Sequence, residues 1–175
     1  MTSTSNPETT RGLLVRALIL ALLSAPAGVR ALDEDQNQPL YLEADAADLD
    51  DPKAVSVYTG NVFIKQGSME IRGDQVTVLH NEDRKPKHMT AVGKPAKYRQ
   101  QMEGEEKEVE AEALRMEYDA AKDEITLVGE ALLFQGQDTF RSDRIVYDRA
   151  RGQVKAGASA KGSERVRITI NPAQQ

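Results

Sequence analysis

Apolar and polar residues alternate with a period of two in short segments of the chain from Pro39 onward. Side chains that alternate in this way lie on opposite faces of a strand, so the pattern is typical of half-buried β-strands. Turn-forming residues, such as those at 50–52 and 151–152, separate the segments. We therefore predict an all-β domain over residues 39–170. The alternating segments are residues 40–42, 55–57, 62–64, 76–78, 114–118, 125–127, 145–147 and 166–170.

A second pattern repeats inside this domain: an apolar residue, an acid three positions later, and apolar residues five and seven positions later. Repetition of this kind predicts stacked supersecondary units. Residues 105–119 have a helix-like composition, but one copy places them in the register of the strand-like copies, so we predict a strand there. The copies lie at residues 42–49, 71–78, 109–116 and 140–147, and their acids are Asp45, Asp74, Glu112 and Asp143.

Within three copies the apolar residues are separated by an odd number of positions. In a regular strand one face recurs only at even separations, so each of these copies must contain a one-residue change of register near its acid. A bulge or corner makes this change and carries a strand from one sheet to a facing sheet. The pattern thus predicts an elongated, jelly-roll-like stack of turns that is open at both ends. The odd steps are Ile71 to Val76, Val109 to Leu114 and Phe140 to Ile145.

An open stack leaves unpaired backbone groups at its two ends. The last predicted strand contains Val166, Ile168 and Ile170 and has no internal proline or glycine to protect it. We therefore expect this strand to be available for pairing with another chain by strand addition. The alternative is an edge that the C-terminal tail, residues 171–175, covers.

The seam between the two predicted sheets has two interpretations. Its apolar residues are mostly of medium size, and the sheets can close over them as a dry core or open along one edge as a groove for acyl chains. The alternation alone favours the core. In a groove, Tyr98, Tyr118 and Tyr147 would lie near the mouth with their hydroxyls toward water.

Composition excludes several kinds of chemistry. The 175-residue chain has a formal net charge of −5, which argues against a nucleic-acid partner, and it has no cysteine for disulfides, thiolate catalysis or Cys-based zinc sites. His80 and His88, with Asp83, are candidate metal ligands, but their spacing matches no metal motif, so we expect exposed or structural side chains. No nucleophile or phosphate-loop motif occurs. We predict no enzyme activity, no metal and no cofactor.

The N-terminus has the order of a secretory signal peptide. Arg11 and Arg16 precede the apolar run at 17–23, and small residues follow at 24–28. A membrane anchor is the alternative, but the run is too short to span a bilayer. We predict a signal peptide over residues 1–31 with cleavage after Ala27 or Ala31, then a flexible acidic linker over 32–38 and a soluble periplasmic protein.

Five short motifs follow one another along the predicted domain. They are PLYLEAD at 39–45, YTGNV at 58–62, GKPA at 93–96, MEYD at 116–119 and LVG at 127–129. Behind a signal peptide, this succession resembles the OstA-like family of periplasmic lipopolysaccharide transport proteins, and within it the LptA type. The resemblance implies a V-shaped antiparallel β-jelly roll.

The resemblance also implies a function. Proteins of this type are bridge proteins that bind lipopolysaccharide and carry it from the inner to the outer membrane, with its acyl chains in the groove between the sheets. This implication reverses the preference for a dry core. The expected groove residues are Leu40, Leu42, Val62, Ile64, Val76, Val78, Tyr98, Leu114, Met116, Tyr118, Leu133 and Ile145.

Partners follow from the same resemblance. They are the acyl chains of lipid A, an LptC-type inner-membrane protein, an LptD-type outer-membrane translocon, and further copies of the chain joined head to tail through an edge that includes Val166, Ile168 and Ile170. Two alternatives stay open. One is an LptC-like component, which keeps its N-terminal helix as an anchor; the other is a periplasmic scaffold that adds strands without carrying lipid.

Overall fold

The fold is given by a computed structural model, which describes residue 35 and residues 38–102, 108–157 and 165–171. The predicted signal peptide, most of the predicted linker and residues 172–175 lie outside the described residues. Among the residues described, there is no helix of the length and hydropathy that a membrane span requires.

The described residues form ten strands and one short 3-10 helix, Asp51–Lys53. The strands are β1 (Leu40–Glu43), β2 (Ala46–Asp50), β3 (Val55–Gln66), β4 (Met69–His80), β5 (Pro86–Gln101), β6 (Glu108–Asp119), β7 (Glu124–Gln135), β8 (Asp138–Asp148), β9 (Gln153–Ala156) and β10 (Arg167–Thr169).

All ten strands belong to one antiparallel sheet with the order β1-β3-β4-β5-β6-β7-β8-β10. Strands β3 to β8 are long and each pairs with its neighbour in sequence, so the centre of the sheet is a meander. Two short strands share each outer edge: β1 and β2 pair with β3, while β9 and β10 pair with β8. The prediction of an open, all-β antiparallel fold is confirmed.

A line of bulges crosses the middle of the sheet. The pairing register shifts near the middle of each pair of long strands, for example between Thr59 and Val62 of β3 and between Val128 and Ala131 of β7. The β4–β5 pair has a second shift near its end, between Leu79 and His80. Because a bulge bends its strand, aligned bulges fold the sheet along a crease. Half-sheet A lies on one side and contains β1, β10 and the turns at 67–68 and 136–137. Half-sheet B contains β2, β9 and the turns at 81–85 and 120–123.

The predicted change of register is present, with one error of position. Buried residues step from Ile71 to Val76 in β4, as the sequence pattern predicted. In β6 the step occurs later, because Ala111 and Ala113 continue the inward face that Val109 begins. Leu114 consequently points outward and is 41% exposed. The prediction that Leu114 faces the interior is wrong.

Strands β3 and β7 bend at the crease through a different backbone conformation. Gly60 and Asn61 in β3, and Gly129 and Glu130 in β7, have positive φ, which turns the backbone without changing which side chains face inward. Gly60 also packs against Asp45, whose carboxylate accepts a hydrogen bond from the Asn61 side chain over 2.9 Å. A Cβ at Gly60 would lie 2.2 Å from Asp45 Oδ2, so glycine is required there for space as well as for φ.

The acids of the repeated pattern have different positions. Asp74 and Asp143 lie within the register shifts of β4 and β8, and Asp45 binds across the crease to Asn61. Glu112 lies before the shift of β6 and forms an ion pair with Lys97, 2.8 Å away. The assignment of Glu112 to a corner is therefore wrong by about two positions, for the same reason as Leu114.

Candidate functional site

The two half-sheets enclose an apolar interior that both of them line. Of the predicted groove residues, eight are buried there, and Leu42 and Tyr118 pack against them while partly exposed. Leu40 is half-exposed at the rim, and Leu114 lies outside. The eight buried residues are Val62, Ile64, Val76, Val78, Tyr98, Met116, Leu133 and Ile145.

The interior is not filled completely. A cavity of about 550 Å³ lies toward the N-terminal end, between residues of both half-sheets. Half-sheet A contributes Met69, Ile71 and Tyr98 to its wall, and half-sheet B contributes Met89, Met116 and Ile125.

Several of these wall residues were absent from the sequence prediction. Met89 and Ala91 alternate inward at the start of β5, a stretch outside the predicted alternating segments. His88 and several lysines make this stretch polar in sequence. The alternation of Met89, Ala91 and Gly93 is the pattern from which an inward-facing strand could have been predicted here. Ile71 carried a signal too, since it begins one copy of the repeated pattern.

A second cavity of about 340 Å³ lies toward the C-terminal end, and its wall includes Met102, Val109 and Tyr147. Gln100 and Arg149 line both cavities, so their side chains stand between the two. A polar partition therefore separates the two cavities. The wall of the second cavity is mixed, because Gln101, Gln135 and Arg151 also line it.

Gln100 and Arg149 belong to a polar cluster, which we define as Asp35, Ser68, Gln100, Asp123 and Arg149. The guanidinium of Arg149 donates to Gln100 Oε1 over 3.0 Å and pairs with Asp123 over 3.2 Å. Gln100 in turn donates to Asp35 over 2.8 Å. Asp35 also accepts bonds from the backbone N–H and the hydroxyl of Ser68, which hold part of the predicted linker to the β3–β4 turn.

Burial and hydrogen bonding set the protonation states in this region. Burial raises the pKa of Asp35, but bonds from Ser68 and Gln100 and the charge of Arg149 outweigh burial and lower that pKa overall. Burial raises the pKa of Tyr98 far above its ordinary value. Tyr98 is 4% exposed and its hydroxyl donates to Gln100, so the expectation that this hydroxyl faces water is wrong.

The candidate metal ligands have other roles. His80 shares a 2.9 Å hydrogen bond with the Ser56 hydroxyl, and its Nδ1 atom lies 3.3 Å from the carbonyl oxygen of Arg84. These two contacts hold the β4–β5 turn in place. Within the described ranges there is no group of three or more histidine and acidic residues that could hold a metal ion.

Both outer edges of the sheet expose apolar side chains. At the C-terminal edge, Ile168 and Ile170 are 53% and 72% exposed. At the opposite edge, Leu40 and Tyr41 of β1 are exposed. Asn171 binds the β7–β8 turn through Asp138 over 3.1 Å, which holds the end of β10 in place without covering its isoleucines.

Comparison with known proteins gives the same picture. The family described as LptA/(LptD N-terminal domain) LPS transport protein matches residues 41–153. The lipopolysaccharide export system protein LptH of Pseudomonas aeruginosa is 35% identical over 165 residues, covering 91% of this chain and 93% of the relative. The lipopolysaccharide export system protein LptA of Escherichia coli K12 is 36% identical over 160 residues, covering 90% and 85%.

The fold agrees with a solved relative. The crystal structure of LptH from Pseudomonas aeruginosa, described as the LptA-homologous periplasmic component of the lipopolysaccharide transport device, superposes with a TM-score of 0.73 at 33% identity. The superposition covers 79% of this chain and 99% of that one.

Together with these comparisons, the creased antiparallel sheet and its partly hollow interior define a β-jelly-roll component of lipopolysaccharide transport. The chain belongs to the LptA-type family of lipopolysaccharide transport proteins. Its family role is transport in the periplasm.

Proposed function

We propose that this chain binds the acyl chains of lipopolysaccharide between its half-sheets and passes the lipid from the inner toward the outer membrane. The observation that carries this proposal is the cavity of about 550 Å³ with a largely apolar wall drawn from both half-sheets. Acyl chains bind such walls without directional bonds, and each buried methylene contributes about 0.8 kcal/mol. Family membership supplies the ligand class.

Transport requires binding that is reversible at every step. Three methionines, Met69, Met89 and Met116, contribute to the cavity wall. Flexible thioether side chains adapt to chains of different shape and do not create one tight pocket. We infer a conduit and not an enzyme, with the energy for directional movement supplied by another component.

A bridge across the periplasm needs contacts at both ends of the chain. The outer edges formed by β1 and β2 and by β9 and β10 offer strand edges and exposed apolar side chains. Strand addition at these edges would join copies head to tail and would join the terminal copies to an LptC-type inner-membrane protein and an LptD-type translocon. Residues 1–31 would direct export and be removed.

The lipid-binding step is tested with the purified protein. We expect lipopolysaccharide to copurify with protein isolated from the periplasm and to be identified by mass spectrometry after extraction. Delipidated protein should bind added lipopolysaccharide reversibly. Strand-mediated association without any lipid binding would instead identify a scaffold, and a mature N-terminus that retains residues 16–23 would identify an anchored, LptC-like component.

Head-to-tail association is tested at the C-terminal edge. Replacing Ile168 and Ile170 together by lysine should raise the dissociation constant of the self-associated form at least roughly tenfold, because burial of one isoleucine contributes about 1.5–3 kcal/mol. Sedimentation velocity over a range of concentrations measures this change. Leu79→Lys is the matched control, since Leu79 is also exposed but lies on β4, which is paired on both sides and is not at an edge of the sheet. Equal effects of the two changes would exclude the β10 edge as the interface.

A further inference from the structure

Arg149 is an unusual residue for an apolar interior. It follows β8 directly, its side chain is 8% exposed, and it lines both cavities. Its Nε atom is buried and has no hydrogen-bond partner. Leaving a buried donor unpaired is unfavourable, and a charged donor more so, which indicates that a ligand oxygen completes this group.

The arrangement around the guanidinium leaves one edge for such a ligand. Nη1 pairs with Asp123 over 3.2 Å and Nη2 donates to the amide oxygen of Gln100 over 3.0 Å. Nε and Nη2 together form the side of the guanidinium that binds two oxygens of one phosphate or carboxylate in parallel. In this structure Nη2 donates to a neutral amide and Nε has no partner, while the Asp123 carboxylate is held by the other nitrogen. The Tyr118 ring lies against the guanidinium, with 5.2 Å between its centre and the guanidinium carbon.

The Arg149–Gln100 bond also joins the two half-sheets. Gln100 lies on half-sheet A with Asp35 and Ser68, whereas Arg149 and Asp123 lie at the turns of half-sheet B. If the half-sheets separated to admit lipid, Gln100 and Asp35 would therefore move away from Arg149 together. Arg149 would keep Asp123 as its orienting partner and present the Nε/Nη2 side to the groove. Asp148, the acid adjacent to Arg149 in sequence, is paired with Arg151 over 2.7 Å.

The position suits the polar end of an amphiphile. Cavities lie on both sides of Arg149, and the larger of them has a largely apolar wall. The turns of half-sheet B near Arg149 lie at the strand ends farthest from the crease. An acyl chain in either cavity would place its charged head near the guanidinium. Burial opposes the charge of Arg149, but the neighbouring Tyr98, Asp123, Tyr118 and Tyr147 oxygens raise its pKa overall, so the group remains a cation.

We propose that Arg149 is a binding site for a phosphate group of the transported lipid, and that this phosphate replaces Gln100 on the Nε/Nη2 side when the groove opens. The inference rests on the proposed function, because it assumes that acyl chains occupy the cavities. It assigns to the interior a charged site in addition to the apolar wall.

The test compares two lipids that differ only in phosphate. Lipid A carrying both phosphates and the same lipid A after enzymatic dephosphorylation are titrated into delipidated, full-length mature protein. Arg149→Gln should weaken binding of the phosphorylated lipid roughly 10- to 100-fold, the range expected for charge-assisted hydrogen bonds. Binding of the dephosphorylated lipid should be unchanged or tighter, because the same substitution breaks the Arg149–Gln100 bond between the half-sheets. Arg149→Lys should restore part of the difference.

A matched variant separates the phosphate site from a simple latch. Gln100→Ala removes the neutral partner and should leave the preference for the phosphorylated over the dephosphorylated lipid equal to or larger than that of the wild type. If Arg149→Gln and Gln100→Ala change the affinity for both lipids alike, the cluster is only a latch and the proposal is wrong. Failure of the wild type to bind either lipid would overturn the proposed function itself, which is a different result.

Two further arms complete the design. Arg149→Gln leaves Asp123 without its cationic partner, although the Tyr118 hydroxyl still donates to its carboxylate over 3.2 Å. If the single variant does not fold, the Arg149→Gln/Asp123→Asn double variant repeats the comparison with both charges removed. Inorganic phosphate alone is added to the wild type and to Arg149→Gln. An Arg149-dependent thermal shift with inorganic phosphate, combined with no preference between the two lipids, would assign the site to a free anion and overturn the lipid assignment.

Discussion

Replacing Leu127 by alanine should lower the free energy of unfolding by about 2–5 kcal/mol, the range for large-to-small changes in packed cores. Leu127 is 0% exposed and lies on β7 where the interior faces of both neighbouring strands meet it. Truncation removes apolar contacts and leaves a void that the surrounding sheet fills only in part. Equilibrium unfolding in urea, followed by circular dichroism, measures the change.

Leu114→Ala is the matched control for this experiment. Leu114 lies on β6 and packs over Gly129 on the outer face, 41% exposed. Since part of its surface already contacts water, its truncation should cost less than about 1 kcal/mol. If the two substitutions destabilise equally, the assignment of inner and outer faces in β6 and β7 is wrong.

Replacing Met116 by glutamate should weaken lipopolysaccharide binding by at least roughly 100-fold. Met116 is buried in the wall of the larger cavity, where an acyl chain would contact it. A carboxylate at this position keeps water as its partner only while the cavity is free of lipid. Entry of an acyl chain would strip that water and leave the charge unpaired, at a cost of more than about 3 kcal/mol.

Binding is measured by titration of lipopolysaccharide into the delipidated variant, after circular dichroism has established that it remains folded. Val92→Glu is the control, because it adds the same charge on the outer face of β5, opposite Arg115 of β6. We expect wild-type affinity for the control. Normal binding by a folded Met116→Glu variant would mean that lipid does not travel past this wall.

The sequence predicted most of the long strands because their chemistry is local, but no predicted alternating segment lay in β5. The backbone of a strand sends successive side chains to opposite faces. Alternation in β4 or β8 therefore predicts the inward face without knowledge of the neighbouring strands. The odd step from Ile71 to Val76 could arise only through a change of register, which predicted the crease. The same reasoning failed in β6, since Ala111 and Ala113 are too small to stand out as an apolar face beside Leu114.

The position of the crease in β3 and β7 could not be predicted from the periodicity of the sequence. Both strands cross it through paired residues of positive φ, and their inward side chains keep an even spacing. An unbroken period of two is the pattern of a straight strand, so periodicity carried no sign of the bend. Gly60 and Gly129 were visible as repeated glycines, but their conformational role depends on the strands beside them.

By itself, the sequence determined the all-β class, the antiparallel stack and the family, because these follow from residue order and local periodicity. Only the tertiary structure decided that the interior is partly hollow and that a polar cluster divides it. The bond between Arg149 and Gln100 joins residues 49 positions apart on opposite half-sheets. Such a contact depends on how far the sheet folds along its crease, and that angle is set by the packing of all the strands together.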